Sequence, residues 1–207
     1  MGELEALCTN VLPGLTIHRL RYFTALVTPL PSDPYARQHQ DVYLRALQTI
    51  PNVSIHLGHF LQSKVMMPIA SPQTVGPRFV EVLKTEEKGS DVNIATYMLV
   101  DAFRGDCDQL VIVTNDSDLA EPVRIINKEL GIPVGIFNPH TEDTARRRAR
   151  LTGRPFEKPR PSIALKKVAR FYREIRSEGS GCHMAISQFP DRFKDANGHL
   201  IRKPTSW

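Results

Sequence analysis

Two carboxylates stand two residues apart, directly after a short apolar segment. The segment Gln109–Thr114 is typical of a strand that is buried on both faces of a parallel sheet. Asn115, Asp116, Ser117 and Asp118 follow it, at the sheet edge where α/β proteins place their ligand sites. Paired carboxylates are hard oxygen ligands that suit Mg²⁺ or Mn²⁺. The alternative is that one aspartate only caps the next helix, but the pair favours a metal site.

A second motif, K-G-S-D, contains a cation, a glycine and a third carboxylate. Asp91 begins a helix that returns the chain to the strand before Asp116, so the two carboxylates are expected to lie close together. Lys88 and Gly89 offer a charge and a close-approaching backbone to a phosphate. Taken alone, the motif also fits a helix cap with solvated charges. Asp101 is about 15 Å further along the helix, so we assign it a structural role.

Other chemistries find little support. The three cysteines, Cys8, Cys107 and Cys182, form no C-x-x-C pair, so neither a disulfide framework nor a zinc site is indicated. His56 and His59 are three residues apart in a probable strand and therefore face opposite sides. The sequence contains no glycine-rich phosphate loop and no nucleophile elbow.

The elements around these motifs alternate between strands and helices. Predicted strands are Arg19–Val27, Val53–Leu57, Gln109–Thr114 and Pro133–Phe137, with Arg78–Lys84 as a strand or hairpin arm. Predicted helices are Ala36–Ile50, one with Ser90 as its N-cap that ends near Gly105, and Leu119–Leu130. This order implies right-handed crossovers, so we expect an α/β three-layer sandwich with a mainly parallel sheet.

Positive charge is concentrated at the C-terminal end. Residues 1–140 contain 11 Lys and Arg against 15 Asp and Glu, whereas residues 141–207 contain 16 against 7. We expect an irregular basic linker over 141–161 and an amphipathic helix over Ser162–Arg176 that packs back on the domain. The basic positions are Arg146, Arg147, Arg148 and Arg150 in the linker, and Lys166, Arg170 and Arg173 on one face of the helix. This surface fits a polyanion, although a merely solvated basic tail is the simpler interpretation.

Composition sets the class of protein. The chain has 207 residues, 41% hydrophobic and 24% charged, which fits an ordinary globular domain and excludes disorder. It has no apolar segment of membrane-spanning length, and its first residues lack the pattern of a signal peptide. We therefore expect a soluble cytoplasmic protein.

Together, three motifs resemble the NYN domain family of PIN-like nucleases. They are K-G-S-D at Lys88–Asp91, N-D-S-D-L-A-E-P at Asn115–Pro122 and G-I-P-V-G-I-F-N-P at Gly131–Pro139. The resemblance extends from about Leu4 to Pro139, and Ser187–Trp207 is similar to the tail of bacterial members. It implies a PIN-like domain over residues 1–140, followed by a basic linker, helix and tail over 141–207.

The resemblance also implies a site and an activity. The family's acidic cluster binds Mg²⁺ or Mn²⁺ and hydrolyses RNA, which makes Asp91, Asp116 and Asp118 the expected metal ligands and catalytic residues. Asn115 and Ser117 would shape the turn. Single-stranded RNA is the expected partner, with Lys88 and the basic positions above contacting its backbone.

One family motif is absent. Members normally begin with a central strand that contains D-G-x-N, and no D-G-x-N occurs in this sequence. Met1-Gly2-Glu3-Leu4 is similar to the helix that follows this strand, so either the chain is truncated or the protein lacks part of the site. A missing central strand leaves backbone groups unpaired, so we expect impaired stability and weakened or absent catalysis for this polypeptide alone.

Two other functions stay open on the sequence. The first is a non-catalytic RNA-binding or adaptor module that retains the fold. The second is a metal-dependent enzyme for a small phosphorylated substrate, because D-x-D turns also hold metal–diphosphate groups.

Overall fold

The computed structural model describes residues 4–29, 33–70, 76–176 and 183–204, which form a mixed α/β structure with parallel strand pairs. The helices are α1 (Leu4–Val11), α2 (Ala36–Leu47), α3 (Ser90–Arg104), α4 (Ala120–Lys128), α5 (Glu142–Thr152), α6 (Ile163–Val168) and α7 (His183–Ile186), with a 3₁₀ turn at Ser117–Leu119. The strands are β1 (Leu20–Ala25), β2 (Val53–Pro68), β3 (Phe79–Lys88), β4 (Leu110–Val113), β5 (Val134–Asn138), β6 (Phe171–Glu174), β7 (Arg192–Lys194) and β8 (Leu200–Arg202). None of the helices in these ranges is both long and apolar enough to cross a membrane.

The first sheet has the order β1-β2-β3. β1 and β2 are parallel, and β2 then pairs with β3 as an antiparallel hairpin from His59↔Lys88 to Pro68↔Phe79. On one face, Tyr22 and Ile55 pack against Ala46 and Leu47 of α2. The opposite face carries Phe23 and His56 and is covered by Tyr97 of α3.

The hairpin of β2 and β3 is longer than the sequence pattern predicts. Strand β2 continues from Val53 to Pro68, whereas the alternation of apolar residues predicted its end at Leu57. Leu61, Met66 and Leu83 are each more than half exposed, so the distal hairpin lies outside the core. No burial pattern therefore marks this extension in the sequence.

The second sheet has the order β4-β5-β6, with all three strands parallel. Ile112 and Ile136 face α3, α4 and α6, while Val111 and Phe137 on the opposite face pack against α1. The alternation places helices on both faces of this sheet.

Two predictions about this sheet need correction. β4 is an edge strand, not a strand buried on both faces, and Val113 is 48% exposed. The described strands also form two three-stranded sheets and the antiparallel pair β7-β8, not one continuous sheet. Helix α3 contacts the first sheet through Tyr97 and packs on the core of the second through Met98, while Leu4 and Leu7 of α1 join the hydrophobic clusters beside the two sheets.

The predicted helix over Ser162–Arg176 is wrong beyond Val168. Helix α6 ends at Val168, and β6 then adds to the second sheet beside β5. Arg170 N–H donates to the Val134 carbonyl at 2.8 Å, and the ring of Phe171 occupies the space that Gly135 leaves open. Val168, Phe171 and Ile175 are spaced as on one face of a helix, but this spacing is a chance periodicity, because the edge of β5 and the aromatic residues favour β-pairing here.

The predicted irregular linker over 141–161 is also partly wrong. Glu142–Thr152 is helix α5, and its first turn is closed by a capping box between Thr141 and Thr144. Gly153, with φ +66°, ends the helix in the left-handed region. The sequence pattern did not predict this helix, because its arginine-rich sequence has no apolar stripe.

An ion-pair network joins α3 to β1. Arg21 donates to both carboxylate oxygens of Asp101, at 2.8 and 2.7 Å, and Arg19 donates to Asp101 at 3.0 Å. The hydrogen bonds from Arg21 hold the pKa of Asp101 below its ordinary value. The structural role assigned to Asp101 agrees with this geometry.

We expect Asp101→Asn to lower the free energy of unfolding by roughly 3 kcal/mol at pH 7, because it leaves two arginines without a buried partner. Since the folded pKa is depressed, the stabilisation is present above about pH 4 and is lost as the pH falls through the folded pKa. Urea denaturation of both proteins from pH 7 to pH 3 would show the difference shrinking in acid. Asp106→Asn, which affects only the more exposed Arg19 contact, is the control and should cost less than about 1 kcal/mol.

A methyl group at Gly135 would overlap the ring of Phe171. We expect Gly135→Ala to destabilise the fold by about 1–3 kcal/mol, because the ring must leave its position on β5. In a Phe171→Ala background the same substitution should cost much less. Thermal denaturation of the four proteins measures this coupling, and additive losses would contradict the contact.

Candidate functional site

Two glycines shape the entry into α3. Gly89 has a φ of +95° and precedes Ser90, so the chain leaves β3 and turns directly into the helix. Gly58 of β2 lies so close to the Lys88 carbonyl that a Cβ would clash with it. Gly89, not Ser90, is thus the N-cap, and Asp91 lies in the first turn of α3 as the sequence predicts.

Asp91 shares its surroundings with three other carboxylates. Partial burial and the negative charges of Asp116, Glu87 and Asp118 raise the pKa of Asp91 above its ordinary value. Since α3 also packs against the 3₁₀ turn at Ser117–Leu119, the structure brings the K-G-S-D and N-D-S-D motifs together. We call Asp91, Asp116 and Asp118 the acidic cluster.

The turn after β4 is held by its own side chains. Asp116 N–H donates to the Thr114 hydroxyl at 3.0 Å, and the Asp116 carboxylate accepts from Asp118 N–H at 3.0 Å. Asp116 is therefore the N-cap of the 3₁₀ turn, and both aspartates remain exposed. The capping and ligand interpretations are compatible, because a carboxylate has a second oxygen for another partner.

Asn115 ties the acidic cluster to the basic part of the chain. Its side-chain amide donates to the Arg160 carbonyl at 3.1 Å, and its side-chain oxygen accepts from Ser162 N–H at 2.8 Å. The chain between α5 and α6 consequently passes beside the N-D-S-D turn. The sequence predicted that Asn115 shapes this turn, but not that it binds a segment 45 residues away.

Glu87 is a residue that sequence reasoning missed. It accepts a hydrogen bond from the Ser90 hydroxyl and lies close enough to Asp91 to raise its pKa. Its position one residue before Lys88, the first residue of the K-G-S-D motif, is the signal that could have identified it. Lys88 itself is ion-paired with Glu86 at 3.1 Å.

The basic positions do not form one stripe. Arg146 contacts Glu142 and stacks on Phe156, whereas Arg148 is exposed on α5. The backbone of Arg147 is in α5 as well. The stripe of Lys166, Arg170 and Arg173 is wrong as a helical face, because they lie respectively on α6, between α6 and β6, and on β6. Lys166 lies over the ring of Tyr172, and Arg173 donates to the Val11 carbonyl at 2.9 Å.

The acidic cluster suits a divalent cation in donor chemistry and charge. Across the described ranges, no three His, Cys, Asp or Glu side chains are grouped closely enough to hold a metal ion. A Mg²⁺ ion, however, commonly takes only one or two carboxylates and completes its shell with water and substrate phosphates. Exposed carboxylates whose charges oppose ionisation of Asp91 fit such an ion.

We expect Asn115→Ala to lower the free energy of unfolding by about 1–2 kcal/mol, because it removes two hydrogen bonds to residues 160–162. Hydrogen exchange should show faster exchange at the Ser162 amide. Ser117→Ala, in the same turn, is the control and should leave this amide unchanged. Equal protection in both variants would contradict a positioning role for Asn115.

Comparisons with known proteins give one curated relative and one solved structure. The 6-hydroxy-3-succinoylpyridine 3-monooxygenase HspA of Pseudomonas putida (strain DSM 28022 / S16) is 30% identical over 128 residues, which are 58% of this chain and 41% of that protein. The chain thus spans less than half the length of this relative. A crystal structure of a protein of unknown function, VPA0982 from Vibrio parahaemolyticus RIMD 2210633, aligns with a TM-score of 0.47 and 14% identity, covering 87% of this chain and 81% of that one.

The family model of the NYN domain matches residues 32–152, a segment that contains β2 to β5 and the whole acidic cluster. This match covers more than half of the chain. The chain therefore belongs to the NYN domain family.

Proposed function

We propose that this chain is a metal-dependent ribonuclease that hydrolyses RNA phosphodiester bonds at the acidic cluster. The observation that carries the proposal is the packing of α3 against the turn after β4, which places Asp91 within electrostatic range of Asp116 and Asp118. Family membership supports a nuclease-type domain. On this proposal, the parallel pair β1-β2 and the parallel sheet β4-β5-β6 are two parts of a PIN-like sandwich.

Mg²⁺ or Mn²⁺ would be held by carboxylates of the acidic cluster. When bound, such an ion neutralises charge on a phosphodiester and activates water for attack. The role of the protein is to hold these carboxylates at the rim of the sheet. Gly89 and Gly58 do so for Asp91, and the Thr114 hydroxyl does so for Asp116.

RNA would reach the acidic cluster along the basic segments beside it. Asn115 fixes the backbone at Arg160 next to Asp116, and α5 with Arg146, Arg147 and Arg148 immediately precedes that segment. We propose that these arginines, with Lys88, Lys166, Arg170 and Arg173, contact phosphates of single-stranded RNA. Such contacts are independent of sequence and position the backbone for cleavage.

Two alternatives have distinct outcomes in the same assays. An RNA-binding or adaptor module would bind RNA without metal-dependent turnover. A small-substrate enzyme would show competition by mononucleotides. Monooxygenase activity is named for the Pseudomonas relative. This chain covers 41% of that protein, and we do not propose the activity for this chain.

The test is cleavage of end-labelled single-stranded RNA in Mg²⁺, Mn²⁺ or EDTA. Because the D-G-x-N motif is absent, we expect weak cleavage that requires the metal and that falls roughly 100-fold or more in Asp116→Asn, a loss of about 3 kcal/mol of charge stabilisation. Asp91→Asn should show a similar loss. Asp41→Asn, which removes an exposed carboxylate on α2, is the matched control and should cleave as the unaltered protein does.

Cleavage that persists in Asp116→Asn and Asp91→Asn would overturn the assignment of the acidic cluster. Binding of RNA with no cleavage in either metal would favour the adaptor. In both cases, far-UV circular dichroism of each variant must match that of the unaltered protein.

A further inference from the structure

A positively charged cleft lies at the end of β6, two strands away from β4 and the turn that carries Asp116 and Asp118. Its volume is about 530 Å³, and it is lined by Val11, Arg173, Glu174, Arg176 and His183. Among the described residues, the lining thus includes two arginines, a histidine and one glutamate. The cleft is large enough for a phosphate group with part of a sugar.

Two side chains of the cleft, those of Arg173 and His183, are positioned by contacts with the backbone. Arg173 Nη1 donates to the Val11 carbonyl at 2.9 Å, which ties the guanidinium to the end of α1. His183 Nδ1 accepts from the backbone N–H of Arg176 at 3.1 Å. This bond selects the neutral tautomer with a proton on Nε2, so His183 retains a donor.

The electrostatics of the cleft favour an anion. Burial and the positive charges of Arg176 and Arg173 lower the pKa of His183, so a proton there is opposed by its cationic neighbours. A bound anion would relieve this repulsion. A guanidinium has five N–H donors in a planar fork, so Arg173 retains donors beyond the one used on Val11.

The position of the cleft relates it to the acidic cluster. β4, β5 and β6 are parallel, with Val113, Phe137 and Arg173 in register, so all three strands leave the sheet at the same edge. Asp116 and Asp118 follow β4, and Arg176 follows β6. Two strand spacings separate β4 from β6, or about 10 Å.

We propose that Arg173, Arg176 and His183 form a phosphate-binding subsite that holds the RNA backbone beside the acidic cluster. This inference rests on the proposed ribonuclease function for its choice of RNA. The ligand chemistry is a phosphate anion, from either an RNA phosphodiester or a small phosphate.

The test measures binding in EDTA, where metal-dependent cleavage cannot occur. Fluorescence anisotropy of a labelled single-stranded oligoribonucleotide is compared for the unaltered protein, Arg176→Gln and Arg37→Gln. Arg37 is a partly exposed arginine of α2 that pairs with Asp41, and it is the charge-matched control. We expect Arg176→Gln to weaken RNA binding roughly fivefold to tenfold and to reduce the slope of log affinity against log salt by about one. The control should stay within about twofold.

A second arm separates the two sources of phosphate. Inorganic phosphate and uridine monophosphate are titrated against the same proteins, and we expect each to compete only weakly with RNA. If Arg176→Gln weakens binding of the small phosphates but not of RNA, the subsite is not an RNA site and the proposal is overturned. RNA binding equal to that of the unaltered protein overturns it as well.

Folding and function are controlled separately. Arg176→Lys retains the charge but not the planar fork and should bind RNA better than Arg176→Gln, which a misfolded variant would not do. If RNA binding depends on Arg176 while no metal-dependent cleavage is found, the subsite stands and the ribonuclease proposal fails. If cleavage is found and RNA binding is insensitive to Arg176, the ribonuclease proposal stands and the subsite proposal fails.

Discussion

Helix α3 is the element on which both halves of the structure depend. Near its end, Asp101 is bound by two arginines of the first sheet, and Met98 and Ala102 pack against Ile112 of the second. Because the helix is fixed to both sheets, its first turn has a defined place beside β4. The position of Asp91 therefore depends on an ion pair about 15 Å away along the same helix.

Asp91 and Asp101 are on one helix and have opposite electrostatic environments. Two arginines balance the charge of Asp101 and lower its pKa, whereas burial and three other carboxylates raise the pKa of Asp91. The first arrangement stabilises the fold at neutral pH. The second opposes folding slightly and leaves negative charge uncompensated, which is the arrangement a cation site needs. The ion pairs of Asp101 at one end of α3 thus help to hold Asp91 at the other end, where neighbouring carboxylates repel its charge.

The acidic cluster could be predicted from the sequence because each carboxylate follows a local signal. Asp116 and Asp118 follow an apolar strand, and Asp91 follows a glycine that the turn into α3 requires. The C-terminal region offered no comparable signal. β6 forms because Gly135 leaves room for Phe171. These residues are 36 positions apart, so their contact leaves no periodic pattern in the sequence. Likewise, the distal part of the hairpin of β2 and β3 is exposed, so burial imposes no pattern on it.

The segments that follow the three parallel strands of the second sheet carry different functional groups. β4 leads to two carboxylates, and β6 leads to an arginine-lined cleft. Between them, the buried side chain of Asn138 at the end of β5 bonds both the N–H and the carbonyl of His140, which fixes the intervening loop. A phosphate backbone lying along this edge would meet cationic and acidic groups in a fixed order. Since the strand register sets that order, the spacing between the two kinds of group would follow from the fold itself.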